Sequence, residues 1–137
     1  MYKQKTIDVK LLKKIEFAYC QFYNYAFLGI YVKVQMNHAR RPYKSKKTVI
    51  KNTADDPIFN ESFSFCIAGQ PVEACNFVIT MMVCPKKHLS QNEIYGKVDV
   101  GSFMFARGDK LVHWQEMMSQ PRTTITKWHT LSNDMSL

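Results

Sequence analysis

Asn60-Glu-Ser-Phe-Ser-Phe65, continued by Cys66-Ile67, decides the fold class. Phe63, Phe65 and Ile67 alternate with Ser62, Ser64 and Cys66, the period-2 pattern of a strand with one buried face. Upstream, Tyr31-Val-Lys-Val-Gln-Met36 alternates in the same way, and Lys44-Ser-Lys-Lys-Thr-Val-Ile-Lys51 becomes β-branched toward its end, which predicts a second strand. Asn37 to Pro42 reads as a basic turn holding Arg40 and Arg41, and Asn52-Thr-Ala-Asp-Asp-Pro57 as a turn cluster. Downstream, Asn76 to Val83 is a nearly continuous apolar run, as expected of a strand central to a sandwich. Cys84 to Asn92 reads as a polar loop. Ile94 to Val100 reads as a strand, with Gly96 a candidate bulge and Gly101 its stop. One helix is predicted near 109–119: Asp109 can cap it, Leu111, Trp114 and Met118 recur at helical spacing, and Pro121 follows. Ile125 to Leu131 reads as the last strand. Many short strands with one short helix predict an all-β, antiparallel β-sandwich.

The chain has 137 residues, enough for one domain with a core, and 19 Lys plus Arg against 11 Asp plus Glu give a net charge of +8. Such an excess favours anionic partners. Cys20, Cys66, Cys75 and Cys84 lack the Cys-x-x-Cys spacing of zinc or redox sites. The polar N-terminal residues have no signal-peptide character, so the thiols are expected reduced and the protein cytoplasmic. Residues 1–28 fit two templates. Ile7, Val9 and Leu11, then Ile15, Phe17 and Tyr19, alternate as a hairpin would; Leu12, Ile15, Tyr19, Phe22 and Ala26 fit one helical stripe.

The strongest charge feature is the run Lys33, Arg40, Arg41, Lys44, Lys46, Lys47 and Lys51, uninterrupted by any acidic residue. On a strand, Lys44 and Lys46 project from one face, and Lys47 and Lys51 from the other. Near an anionic leaflet each such cation contributes about 1 kcal/mol. Lysines on a solvated edge strand also guard against aggregation. Tyr43 is the one stacking aromatic inside the run, which argues against nucleic acid. Asp55 and Asp56 are adjacent and would point apart, and His38, His88, His113 and His129 are scattered along the sequence, so no metal site is expected. No nucleophile–base pair or Gly-rich phosphate loop stands out, so the chain is not expected to be an enzyme.

Over about Gly29 to Leu131 the chain resembles the second C2 domain of the synaptotagmins. The pieces that carry the resemblance are Tyr31-Val-Lys-Val, Lys44-Ser-Lys-Lys-Thr, Pro57-Ile-Phe-Asn-Glu-Ser-Phe-Ser-Phe, Gly96-Lys-Val-Asp-Val-Gly, His113-Trp-Gln-Glu-Met, Pro121-Arg and Trp128-His-Thr-Leu. The resemblance implies a C2-type sandwich. It implies binding to anionic phospholipids and phosphoinositides and to SNARE proteins such as syntaxin, and homo- or hetero-oligomers with synaptotagmins. It places the protein peripherally on vesicle or plasma membrane, in exocytosis. The family's lysine-rich strand maps to Lys44, Lys46 and Lys47, with Ser45 interrupting it; of its arginine pair Arg122 remains and Thr123 replaces the other. Trp128, His129 and Leu131 match its C-terminal docking motif, with Trp128 expected as a core anchor.

Two departures qualify what is implied. Where the family's third tip loop has calcium-binding aspartates, this chain has Cys84 and Lys86, with Gln91, Asn92 or Glu93 at the later position; in the first tip loop Leu28-Gly29-Ile30 replaces Ser-Asp-Pro. With so few hard oxygen ligands, calcium binding is expected lost and no cofactor is expected. Residues 1–28 do not resemble the two strands the family places there, so either they supply a substitute hairpin or the sandwich is incomplete. The division expected is an atypical segment 1–28, a C2-like domain 29–131 and a tail 132–137. The leading expectation is a calcium-independent binding module. The alternative is a marginally stable variant that binds little or sequesters partners.

Overall fold

In the computed structural model, residues 5–11, 27–51, 59, 61–67, 71–85, 92–120 and 123–132 are described, with the backbone alone for 5–11, 27, 28, 67 and 85. The strands are β1 (Lys5–Leu11), β2 (Phe27–His38), β3 (Arg41–Lys47), β4 (Glu61–Ile67), β5 (Cys75–Pro85) and β6 (Glu93–Gly101), followed by the helix α1 (Asp109–Ser119). They form a four-stranded sheet, order β3-β2-β5-β6, and a two-stranded sheet of β1 and β4, with every pairing antiparallel.

The apolar run from Asn76 is indeed a central strand, because β5 pairs with β2 on one side and β6 on the other. Alternation then sorts the side chains. Ile30, Val32, Val34 and Met36 of β2 lie opposite Val83, Met81, Ile79 and Phe77 of β5, and Ile79 and Phe77 lie opposite Val98 and Val100 of β6. This is the inner face, and nearly all of it is buried. From the second layer Phe65 is fully buried, its ring 5.2 Å from Phe77 edge-on, and Phe63 packs against the same core. Trp114 of α1 closes the core from the other side, 6.2 Å from Phe77. The all-β antiparallel C2-type sandwich with one short helix is therefore the observed fold.

Several local readings change. β2 begins at Phe27 rather than Tyr31, and Cys84 and Pro85 finish β5 instead of opening a loop. The basic strand is Arg41–Lys47, so Arg41 lies on the strand, and Lys51 lies beyond it, bridged to Ile30 by reciprocal backbone bonds of 2.8 and 2.9 Å. Gly108, at φ 62°, is the N-cap of α1 and Asp109 its first residue, where a carboxylate still suits the helix dipole. Met117, not the exposed Met118, completes the buried stripe. Ile125–Leu131 is not a strand. It carries no regular structure and meets β6 at a single bridge between Ser132 and Lys97.

The bulge expected at Gly96 is present: Met81 faces Gly96 and Met82 faces Ile94, leaving Tyr95 as the extra residue. A Cβ on Gly96 would meet that of Leu131 at 2.8 Å, so the glycine lets the C-terminal segment lie directly on β6. In residues 1–28 the strand template holds for Lys5–Leu11, which pairs with β4; residues 12–26 lie outside the described residues.

Candidate functional site

The basic run folds into the edge of the larger sheet. β3 has β2 as its one neighbour there, and all seven of its residues are exposed. Pro42 is tolerated because an edge strand has amides with no partner strand to satisfy.

Register divides the cations between two faces, so a single basic face does not form. Lys44 and Lys46 lie opposite Met36 and Val34 and therefore share the inner side of the sheet. Lys46 Nζ donates to the Ser64 carbonyl at 2.6 Å and stands 5.1 Å from the Phe65 ring centroid. It ties the sheet edge to β4 as well as carrying charge. Lys44 Nζ stands 5.9 Å from the Tyr43 ring.

Lys47 lies on the outer face, opposite Lys33 and 5.8 Å from the Tyr31 ring. The row continues across the sheet: Lys33 pairs with Thr80, and Thr80 with Lys97. Lys47, Lys33 and Lys97 thus line up on the outer face, one on each of β3, β2 and β6, with the buried Thr80 of β5 between the last two and about 4.8 Å between neighbouring strands. Lys97, absent from the expected site, joins because of register. The Gly96-Lys-Val-Asp-Val-Gly segment marks it only as a strand residue. Asp99 shares that face but is engaged by Asn76, whose Nδ2 donates to its Oδ1 at 2.6 Å.

Arg40 sits in the two-residue turn between β2 and β3, its guanidinium 5.6 Å from the Phe105 ring. Arg122 lies outside the described residues, as do Asp55, Asp56, Lys86, His88 and Gln91. Thr123, which stands in place of the second arginine, is exposed.

The C-terminal motif corrects one expectation. Trp128 is 69% exposed and is no core anchor, since the segment carrying it lies outside both sheets. His129 turns inward instead, and its Nε2 lies 2.8 Å from His113 Nδ1 on α1. Leu131 packs against the core.

At the end of the sheet where the family binds calcium, Cys84 is buried, and burial pushes its thiol pKa up, which opposes a thiolate nucleophile. Burial, then Glu73, raises that of Cys75 too. Asn92 is exposed and donates to the Tyr31 hydroxyl at 3.3 Å, and Glu93 is exposed at the start of β6. Among the described residues no three His, Cys, Asp or Glu side chains gather into a metal site, and no helix is long and apolar enough to cross a membrane.

Comparison with known proteins agrees with this geometry. The C2 domain family matches residues 18–117. Human synaptotagmin-2 is 40% identical over 101 residues, covering 74% of this chain and 23% of its own. Rat synaptotagmin-1 is 37% identical over the same shares, and synaptotagmin-B of Diplobatis ommata 36% identical, with 22% of its length covered. The chain thus spans about a quarter of these relatives. Among solved structures, a C2 domain of plant extended synaptotagmin 1 superposes with a TM-score of 0.51 at 18% identity, over 69% of this chain and 66% of that one, which supports the fold. C2 domains are in general non-enzymatic modules that bind lipid membranes, and this chain, with its antiparallel sandwich and its 40% identity to synaptotagmin-2, belongs to the C2 domain family as a synaptotagmin-like member.

Proposed function

We propose that the chain attaches peripherally to anionic phospholipid and phosphoinositide membranes without calcium. The observation that carries this reading is the outer-face row Lys47, Lys33 and Lys97, beside an edge strand that is exposed along its whole length. Three cations in one row across the sheet can meet several phosphates at once, and each contributes about 1 kcal/mol near an anionic leaflet. Lys44 and Arg41 add charge at the same edge. Calcium independence is supported by Cys84, buried where the family places an aspartate. The synaptotagmin likeness supports SNARE proteins such as syntaxin as partners of the same surface, and a place on vesicle or plasma membrane in exocytosis.

Co-sedimentation with phosphoinositide vesicles, in chelator and in millimolar calcium, tests the reading. Equal binding in both buffers, lost in the Lys33/Lys47/Lys97→Ala variant, is expected. Binding that needs calcium would overturn the calcium-independent part. No binding by soluble wild-type protein would favour the alternative of a partner-sequestering variant.

A further inference from the structure

The end of the sandwich away from Cys84 carries a second feature. Ser102 to Ala106 forms one tight turn, closed by bonds of 2.9 Å from the Phe105 and Ala106 amides to the Ser102 carbonyl. Ser102 is itself buried, and its hydroxyl donates to the Glu73 carbonyl at 3.0 Å. Arg107 folds back to donate to the Phe103 and Ala106 carbonyls. This well-tied turn nevertheless turns Phe103 (66% exposed) and Met104 (48%) out to solvent. A turn held by so many bonds has a set shape, so the exposure belongs to the fold.

The neighbouring hairpin is also held in place at a cost. Ala39 and Arg40 have φ of 49° and 67°, where Asn-Gly is the favoured pair. The Ala39 amide bonds the Ala74 carbonyl at 2.9 Å, and Arg40 lies over Phe105. Gly101 lets the 102–106 turn fold closely against β5: a Cβ there would stand 2.8 Å from that of Asn76 and 3.2 Å from that of Phe105. Beside Arg40, an open hollow of about 440 Å³ is lined by His38, Ala39, Arg41, Pro42 and Tyr43. His38 Nε2 is buried there without a hydrogen-bond partner. Arg40, Arg41, Arg107 and Lys110 outnumber the acidic Glu73 and Asp109 at this end.

We infer that Phe103 and Met104 insert into an anionic bilayer as an apolar tip, with Arg40 and Arg41 meeting the phosphates around it. The inference rests on the membrane reading above and adds a second point of attachment, at the opposite end of β5 from Cys84. An apolar pair rimmed by cations suits the boundary between headgroups and acyl chains. It contributes affinity that salt does not screen.

The test uses phosphatidylserine–phosphatidylcholine vesicles, some with brominated acyl chains. Phe103→Trp is placed in a Trp128→Phe background, leaving buried Trp114 as a constant signal. Quenching of the introduced indole on binding is expected. Phe103→Ser with Met104→Ser should weaken binding roughly tenfold, with the loss persisting at high salt. Vesicle-bound protein whose introduced indole escapes quenching would overturn the tip while leaving the lysine row standing. Absence of any vesicle binding would overturn both readings. Lipid-free self-association lost in the double serine variant would show a second copy as the occupant, and would also overturn the inference.

Discussion

His113 and His129 form a stacked, hydrogen-bonded pair, Nδ1 to Nε2 at 2.8 Å with ring centroids 5.0 Å apart. His113 Nε2 lies 3.1 Å from the Ile125 carbonyl. A carbonyl only accepts, so that nitrogen is the donor there, and the second bond joins His113 Nδ1 to His129 Nε2. The pair fastens the segment bearing Trp128 to α1.

This arrangement makes stability fall with acid. Burial first, then His113, holds the His129 pKa below the ordinary histidine value of about 6.5; Lys110 and Lys127 push the same way and Asp109 opposes them. The unfolded chain therefore takes up a proton before the folded one does. The contribution is complete above about pH 6.5 and diminishes as pH falls from there through the folded-state value. Urea melts at pH 7.5 and pH 5.5 should show lower stability at the acid value. His129→Phe should reduce that difference, and an undiminished difference would show that other groups govern it.

Lys44 and Lys46 share a face but differ in what they touch. Lys46→Ala removes the bond to the Ser64 carbonyl and the contact with Phe65, so a loss of about 0.5–1 kcal/mol in thermal unfolding is expected. Lys44→Ala should leave the melt unchanged within about 0.5 kcal/mol. Equal melts for the two variants would contradict the tie between β3 and β4.

Phe65 is a cross-layer contact of the core. Phe65→Ala should cost about 3–5 kcal/mol, because the space beside Phe77 cannot collapse without moving a strand of either sheet. A denaturant midpoint close to wild type would mean that the two layers are not packed through this ring.

Ala39 sits in the left-handed region with a side chain unsuited to it. Ala39→Asn should stabilise by about 0.5–1 kcal/mol while keeping the amide bond to Ala74. A destabilised variant would indicate that the hairpin prefers another geometry.

Legibility in the sequence followed the range of the interaction. Alternation over Ser62–Ile67 and the apolar run from Asn76 located β4 and β5, and the bulge at Gly96 announced itself because only glycine leaves room for Leu131. The strand edges near Lys51 and Ile125 differ from the sequence pattern because β-branched runs show propensity, whereas a strand also needs a neighbour to bond. For Trp128 the sequence predicts core, because size and hydrophobicity mark burial on average, and here the adjacent histidine is the one turned inward. The lysine row across three strands needed register, which pairs residues as distant as Lys33 and Lys97 through Thr80. No local pattern records it.

β3 bonds along one edge and gives the core none of its seven side chains. Apart from Lys46, substitutions along it should change folding by no more than about 0.5 kcal/mol. The strand can therefore diverge almost independently of the domain that displays it. Related chains could exchange one anionic ligand for another by rewriting this single edge, while the buried residues beneath stay under the separate constraint of packing.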